Sequence, residues 1–150
     1  MTYSVLCAVK WRGSGTFDDP YNADIDSPGL LGWEDVTGQA AGTLPPNPPI
    51  YLVRAVVADN AAITALNALT NVLVLYRRND DDDADGTNNG DLTLSGAQVT
   101  AARSRLVALG VPSGAATTII GTAGQFTRDQ IARRLVIAAR QATKATVNPL

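Results

Sequence analysis

Residues 50–91 read IYLVRAVVADNAAITALNALTNVLVLYRRNDDDDADGTNNGD, and the fold turns on how this stretch is parsed. Two apolar runs, Ile50–Ala58 and Val72–Arg77, are rich in Val, Leu, Ile and Tyr and too short for helices of that composition. Each is expected to be a strand. In the first, Tyr51, Val53, Ala55 and Val57 make a wholly apolar face, while Arg54 interrupts the other. In the second, Val72 through Tyr76 are apolar on both faces, the pattern of a strand covered on both sides. Between the runs, Asp59 is placed to cap a helix carrying Ala62, Ile63, Leu66 and Leu69 at helical spacing. The stretch reads as a β-α-β unit with a short crossover, on which the rest of the chain should pack.

Working outward towards the N-terminus, Thr2–Trp11 alternates, so that Tyr3, Val5, Cys7, Val9 and Trp11 share one face of a strand. Arg12 to Pro49 shows no sustained period of either kind and is broken by six prolines. It nevertheless carries Phe17, Leu30, Leu31, Trp33 and Val36, which is too apolar for a solvated linker. It reads as a long irregular arm docked on its own domain or on a neighbour. Its end, Leu44-Pro-Pro-Asn-Pro-Pro, is a stiff extended spacer.

Towards the C-terminus, residues 79–91 form an acidic loop. Ser95 with Gln98, and Thr127 with Gln130, then make two capping boxes. The first opens a helix with Val99, Ala102, Leu106 and Leu109 on one face, ended by Gly110 with Pro112 beyond. Ala116–Ile120 reads as a short strand. The second box opens a last helix with Ile131, Leu135, Ala138 and Ala142 inward and Arg133, Arg140 and Lys144 on another face. The expected fold class is α+β in one domain over residues 1–150: a sheet of three to four strands with helices packed on it. If the first strand lies between the two strands of the β-α-β unit, the arrangement is a split, ferredoxin-like one.

Composition narrows the chemistry. The chain has no histidine and one cysteine, Cys7, which removes the commonest general base and any internal disulfide or cysteine-built zinc site. No apolar run approaches the length of a membrane span, about 18 residues or more, and Met1–Trp11 lacks the pattern of a signal peptide. Ser14, Ser95 and Thr127 read as turn and cap residues, and no acid, base and nucleophile set is visible. A non-enzymatic protein is expected. The net charge of −2 hides a division: residues 1–91 carry −8 and residues 92–150 carry +6. The acidic residues are thirteen Asp and Glu34, and the basic ones are ten Arg, Lys10 and Lys144. Arg favours fixed multidentate contacts, which suits charges used at interfaces. Nucleic acid is not the expected partner, because aromatic interleaving and an overall positive balance are missing.

Two resemblances follow. Asp81, Asp83, Asp85 and Gly86 stand in a D-x-D-x-D-G pattern similar to the calcium loop of EF-hand and dockerin proteins, which makes the three aspartates candidate calcium ligands. The twelfth position is Leu92 instead of the bidentate Glu, and the preceding segment reads as a strand instead of a helix. In overall style the chain resembles bacteriophage virion structural proteins: small, rich in Ala, Thr and Gly, without His, and with an arm at Arg12–Pro49 able to clasp neighbours. That resemblance implies a capsid cement protein or a head–tail or tail component in the virion, present as a homo-oligomer or in many copies. Its partners would be other subunits of the same assembly, and its interface would include Leu30, Leu31, Trp33, Arg133, Arg140 and Lys144. The alternative is a soluble calcium- or peptide-binding module.

Overall fold

The computed structural model describes residues 2–36, 50–78 and 90–147. The elements are β1 (Tyr3–Arg12), β2 (Asn22–Ala23), β3 (Leu30–Asp35), β4 (Ile50–Val57), α1 (Asn60–Ala68), β5 (Val72–Arg78), α2 (Gly96–Ala108), α3 (Ser113–Ile120) and α4 (Arg128–Val147). The class is α+β. β1 is the centre of the sheet, antiparallel to β4 from Tyr3↔Val57 to Lys10↔Ile50 and to β5 from Ser4↔Arg78 to Val9↔Val72. The β4–α1–β5 unit is therefore split by β1. The likeness to a ferredoxin-like fold goes no further, because three consecutive helices follow β5 where a second such unit would stand.

Strict alternation in β1 divides the core in two. Val5, Cys7 and Val9 point to one face with Tyr51, Val53, Ala55 and Val57 of β4, where Ala62 and Leu66 of α1 cover them. Ala8 points to the other face with Ile50, Leu52, Leu73 and Leu75, under α2, α3 and α4. β5 is buried on both sides as its unbroken apolar run requires, Val72 towards α1 and Leu73 and Leu75 towards the other helices.

The helix signals are realised atom by atom. The Ala62 N–H donates to Asp59 Oδ1 at 2.9 Å, and Ser95 and Gln98 exchange both bonds of a capping box. Gln130 N–H donates to Thr127 Oγ1, and Thr127 N–H donates to Gln130 Oε1. Gly110, at φ 108°, ends α2 in a conformation that side chains rarely adopt.

Two expectations are corrected. Ala116–Ile120 is not a strand but most of α3. Its β-branched residues mislead because Thr117 and Thr118 donate their hydroxyls back to the Ser113 and Gly114 carbonyls. Ala116, Ile119 and Ile120 then fall on one buried helical face. The arm is not irregular throughout, since residues 30–35 form β3, paired with β4 from Leu30↔Val57 to Asp35↔Val53. A register shift between Leu30 and Gly32 breaks the two-residue period there and conceals the strand.

Candidate functional site

The most unusual surface feature is the turn after β1. Gly13 and Gly15 have φ of 103° and 80°, and a Cβ on Gly15 would lie 2.5 Å from the Tyr21 ring. The backbone N–H groups of Ser14 and Gly15 both donate to the Asp19 carbonyl, at 3.1 and 3.0 Å. The Ser14 hydroxyl donates to Asp19 Oδ2, and the Asp19 N–H donates to Thr16 Oγ1, both at 3.1 Å. Tyr21 packs edge-on against Trp11 with ring centroids 5.0 Å apart. On this braced frame sits Phe17, 100% exposed. The position was one of several apolar residues in the arm; its presentation depends on the turn, whose Gly-Ser-Gly and Asp signals mark a loop but not what the loop displays.

The expected interface residues divide. Leu30 and Trp33 are partly buried and pack against the core on the α1 side of the sheet, whereas Leu31 is 61% exposed. Arg133 donates to Asp129 Oδ2 at 2.8 Å, one helical turn away, and is largely exposed. Arg140 and Lys144 fall on the C-terminal part of α4, where the backbone alone is described. Asp81, Asp83 and Asp85 lie outside the described residues.

The basic half of the sequence has a use that charge counting missed. Arg105 donates to the carbonyls of Asn67 and Leu69 at the end of α1. Arg103 donates to the Gly121 carbonyl, and Arg134 donates to those of Thr118 and Ile119. These are the carbonyls that a helix leaves unpaired at its C-terminus, where a cation is also favoured by the dipole. Arg134 in addition stacks over the Phe126 ring at 4.2 Å. Three arginines thus close helix ends within one chain. The signal available beforehand was the preference for Arg over Lys, which fits multidentate contacts of this kind.

Two polar groups inside the sheet are inert by burial. Burial pushes the Cys7 thiol up to about 12, so it stays protonated and unreactive at neutral pH. The Tyr51 hydroxyl is buried without a hydrogen-bond partner among the described residues. Burial first, and then the nearby Asp35 charge, raise its pKa above the ordinary tyrosine value.

One concavity stands out: a cleft of about 590 Å³ along the outer edge of β5, walled by α1 on one side and α2 on the other. No family model, curated protein or solved structure matches the chain. No described helix is long and apolar enough to cross a membrane.

Proposed function

We propose that the chain is a non-enzymatic structural subunit of a larger assembly, present in many copies, and that its partners are copies of itself and other subunits of that assembly. The observation that carries this reading is the braced turn at residues 13–19. A fully exposed aromatic ring on a hydrogen-bonded frame loses little freedom on docking, and large rigid rings dominate the energetics of interfaces. Leu31, exposed on β3, offers a second apolar anchor. The virion setting, as capsid cement or a head–tail or tail component, is supported by composition: no histidine, an Ala-, Thr- and Gly-rich chain, and no catalytic set. The test is sedimentation of the wild type and of Phe17→Ser over a wide concentration range. The wild type should associate, and the variant should do so about tenfold or more weakly with an unchanged melting temperature. A wild-type monomer at every concentration would overturn self-assembly, and equal association of the two would remove the turn from the interface.

The second reading, a soluble calcium- or peptide-binding module, is favoured by the cleft beside β5. Its calcium part rests on Asp81, Asp83 and Asp85. A melting temperature raised by millimolar calcium over chelator, and lost when the three are changed to Asn, would support it.

A further inference from the structure

The register of β5 sets up a site distinct from the Phe17 turn. Leu6 pairs with Tyr76 and Cys7 with Val74, so Leu75 is left as the extra residue of a bulge. Its carbonyl accepts a hydrogen bond at 3.2 Å from Nη1 of Arg128, the first residue of α4. Arg128 is only 8% exposed, and its Nε has no partner among the described residues. No carboxylate of the described residues forms an ion pair with it. Burial pushes its pKa below the ordinary arginine value, yet arginine starts so high that the charge is retained. A guanidinium buried without a counter-ion is expensive, and buried charges are normally paired.

Arg128 lines the cleft along β5, as does Arg105. Both Nη atoms of Arg105 are held by the carbonyls that end α1, so it contributes a fixed positive charge more than free donors. The described residues lining the cleft include no acid. Most of the wall is apolar, with Leu73, Leu75, Leu94, Ile120 and Ile131 among its residues. The volume falls within the range of about 300–1,000 Å³ typical of small-ligand sites, which combine an apolar wall with a few convergent polar groups.

We propose that this cleft binds a small amphipathic carboxylate, its anionic head against Arg128 and Arg105 and its apolar body along β5 and α2. A planar guanidinium with part of its donor set unused matches a carboxylate in shape as well as charge. One compact head suits the site better than a multiply charged phosphate, because the donors of Arg105 are already engaged. The cleft explains why a cation stays buried at the bulge when an apolar side chain would fill the same place at lower cost.

The probe is octanoate, titrated into the full-length protein and followed by NMR shifts and by melting temperature, with 1-octanol as the neutral counterpart. Octanoate should bind saturably, shift signals of residues 73–75 and 98–105, and raise the melting temperature by mass action. It should outcompete 1-octanol by about tenfold or more, the size of effect expected for one charge-assisted contact. Arg128→Met should fold with an equal or higher melting temperature and lose that preference. A second variant, Ala101→Trp, places a ring from an exposed position of α2 into the cleft and should fold normally while blocking octanoate. No saturable binding, equal binding of octanoate and octanol, or undiminished binding in Ala101→Trp would each overturn the proposal. Association through Phe17 is read in a separate experiment, so failure here leaves that reading standing.

Discussion

The two outer strands of the sheet, β5 and β3, are built in opposite ways. β5 is apolar on both faces, and helices pack on each side of it. Its unpaired backbone groups are met by side chains: the Val74 N–H donates to Asn67 Oδ1, and the Leu75 carbonyl accepts from Arg128. β3 carries a bulge, a glycine at position 32, charges at Glu34 and Asp35, and an exposed Leu31. Among the described residues no strand pairs with its outer side. Sheet edges invite pairing with other chains unless they are covered, charged or bulged. β5 is protected by cover, and β3 by irregularity and charge. Cover leaves a walled cleft suited to a small ligand. Irregularity leaves a surface on which a neighbouring subunit can sit.

The sharpest way to break this contrast is to compare a truncation beneath each edge. Leu66 is fully buried in the helix that walls β5, so Leu66→Ala should cost about 2–5 kcal/mol, the usual range for a buried leucine. Leu31→Ala at the other edge should cost less than about 0.5 kcal/mol, as exposed sites do. Urea unfolding of both variants reads the difference. Similar losses would mean that β3 is held by packing not seen among the described residues, and the contrast would fail.

The strand between the edges allows a test by pH. Cys7 has a folded pKa raised from 9.0 to about 12 by burial. The raised folded value means that the protonated thiol is favoured in the native state. Its contribution is complete below about pH 9 and is lost as pH climbs towards 12, because the unfolded thiol ionises first. Stability should therefore fall by about 1.4 kcal/mol per pH unit in that window through this group, and Cys7→Ala should remove that part of the slope. Chemical denaturation at pH 8.5, 9.5 and 10.5 measures it. Reaction of Cys7 with a thiol reagent in the native state at neutral pH would show that the centre of the sheet opens far more readily than the packing implies.

A smaller effect is expected at the β5 edge itself. The Asn67 side chain accepts from Val74 N–H at 3.3 Å, while the Asn67 carbonyl is held by Arg105. Asn67→Ala removes only the first of these bonds and should cost about 1 kcal/mol, a typical single hydrogen bond. Hydrogen exchange should report it at the Val74 amide and leave the β3 amides unchanged. Faster exchange along β3 as well would mean that the two edges open together.

What the sequence made legible were the parts in which one period runs without interruption. β1, β4 and β5 follow from alternation or an unbroken apolar run, and α2 and α4 follow from capping boxes that close as written. The split of the β-α-β unit was one of the arrangements those strands allowed. β3 was hidden because the shift at Leu31 breaks its alternation, and α3 because local hydroxyl bonds let β-branched residues enter a helix. The cleft was illegible for a different reason. Arg128 stands beside Thr127 in a capping box and reads as a first-turn helix residue; only the bulge at Leu75, fifty residues away in the chain, turns it inward. Arg103, Arg105 and Arg134 were equally hidden, since their carbonyl partners are set by tertiary packing and no charge pattern marks them.

The smallest effect tests whether charge, instead of cover, holds β3 in place. Arg54 Nη1 lies 3.1 Å from Glu34 Oε1, on opposite residues of the β4–β3 ladder. Their side chains are 54% and 64% exposed, so water and salt screen the pair, and holding two long side chains in one geometry opposes the gain. The backbone ladder with β4, continued past β3 by the Val36 N–H to the Leu52 carbonyl at 2.8 Å, and the packing of Trp33 persist without it. Glu34→Gln should therefore change stability by less than about 0.5 kcal/mol, in low salt and in molar salt alike. A loss above about 1 kcal/mol that disappears in high salt would show that electrostatics docks β3. The edge would then be a salt-sensitive flap, and assembly through Leu31 would weaken with ionic strength. A null result leaves the charges of β3 with the task that their exposure suggests: keeping an unpaired edge from joining the wrong strand.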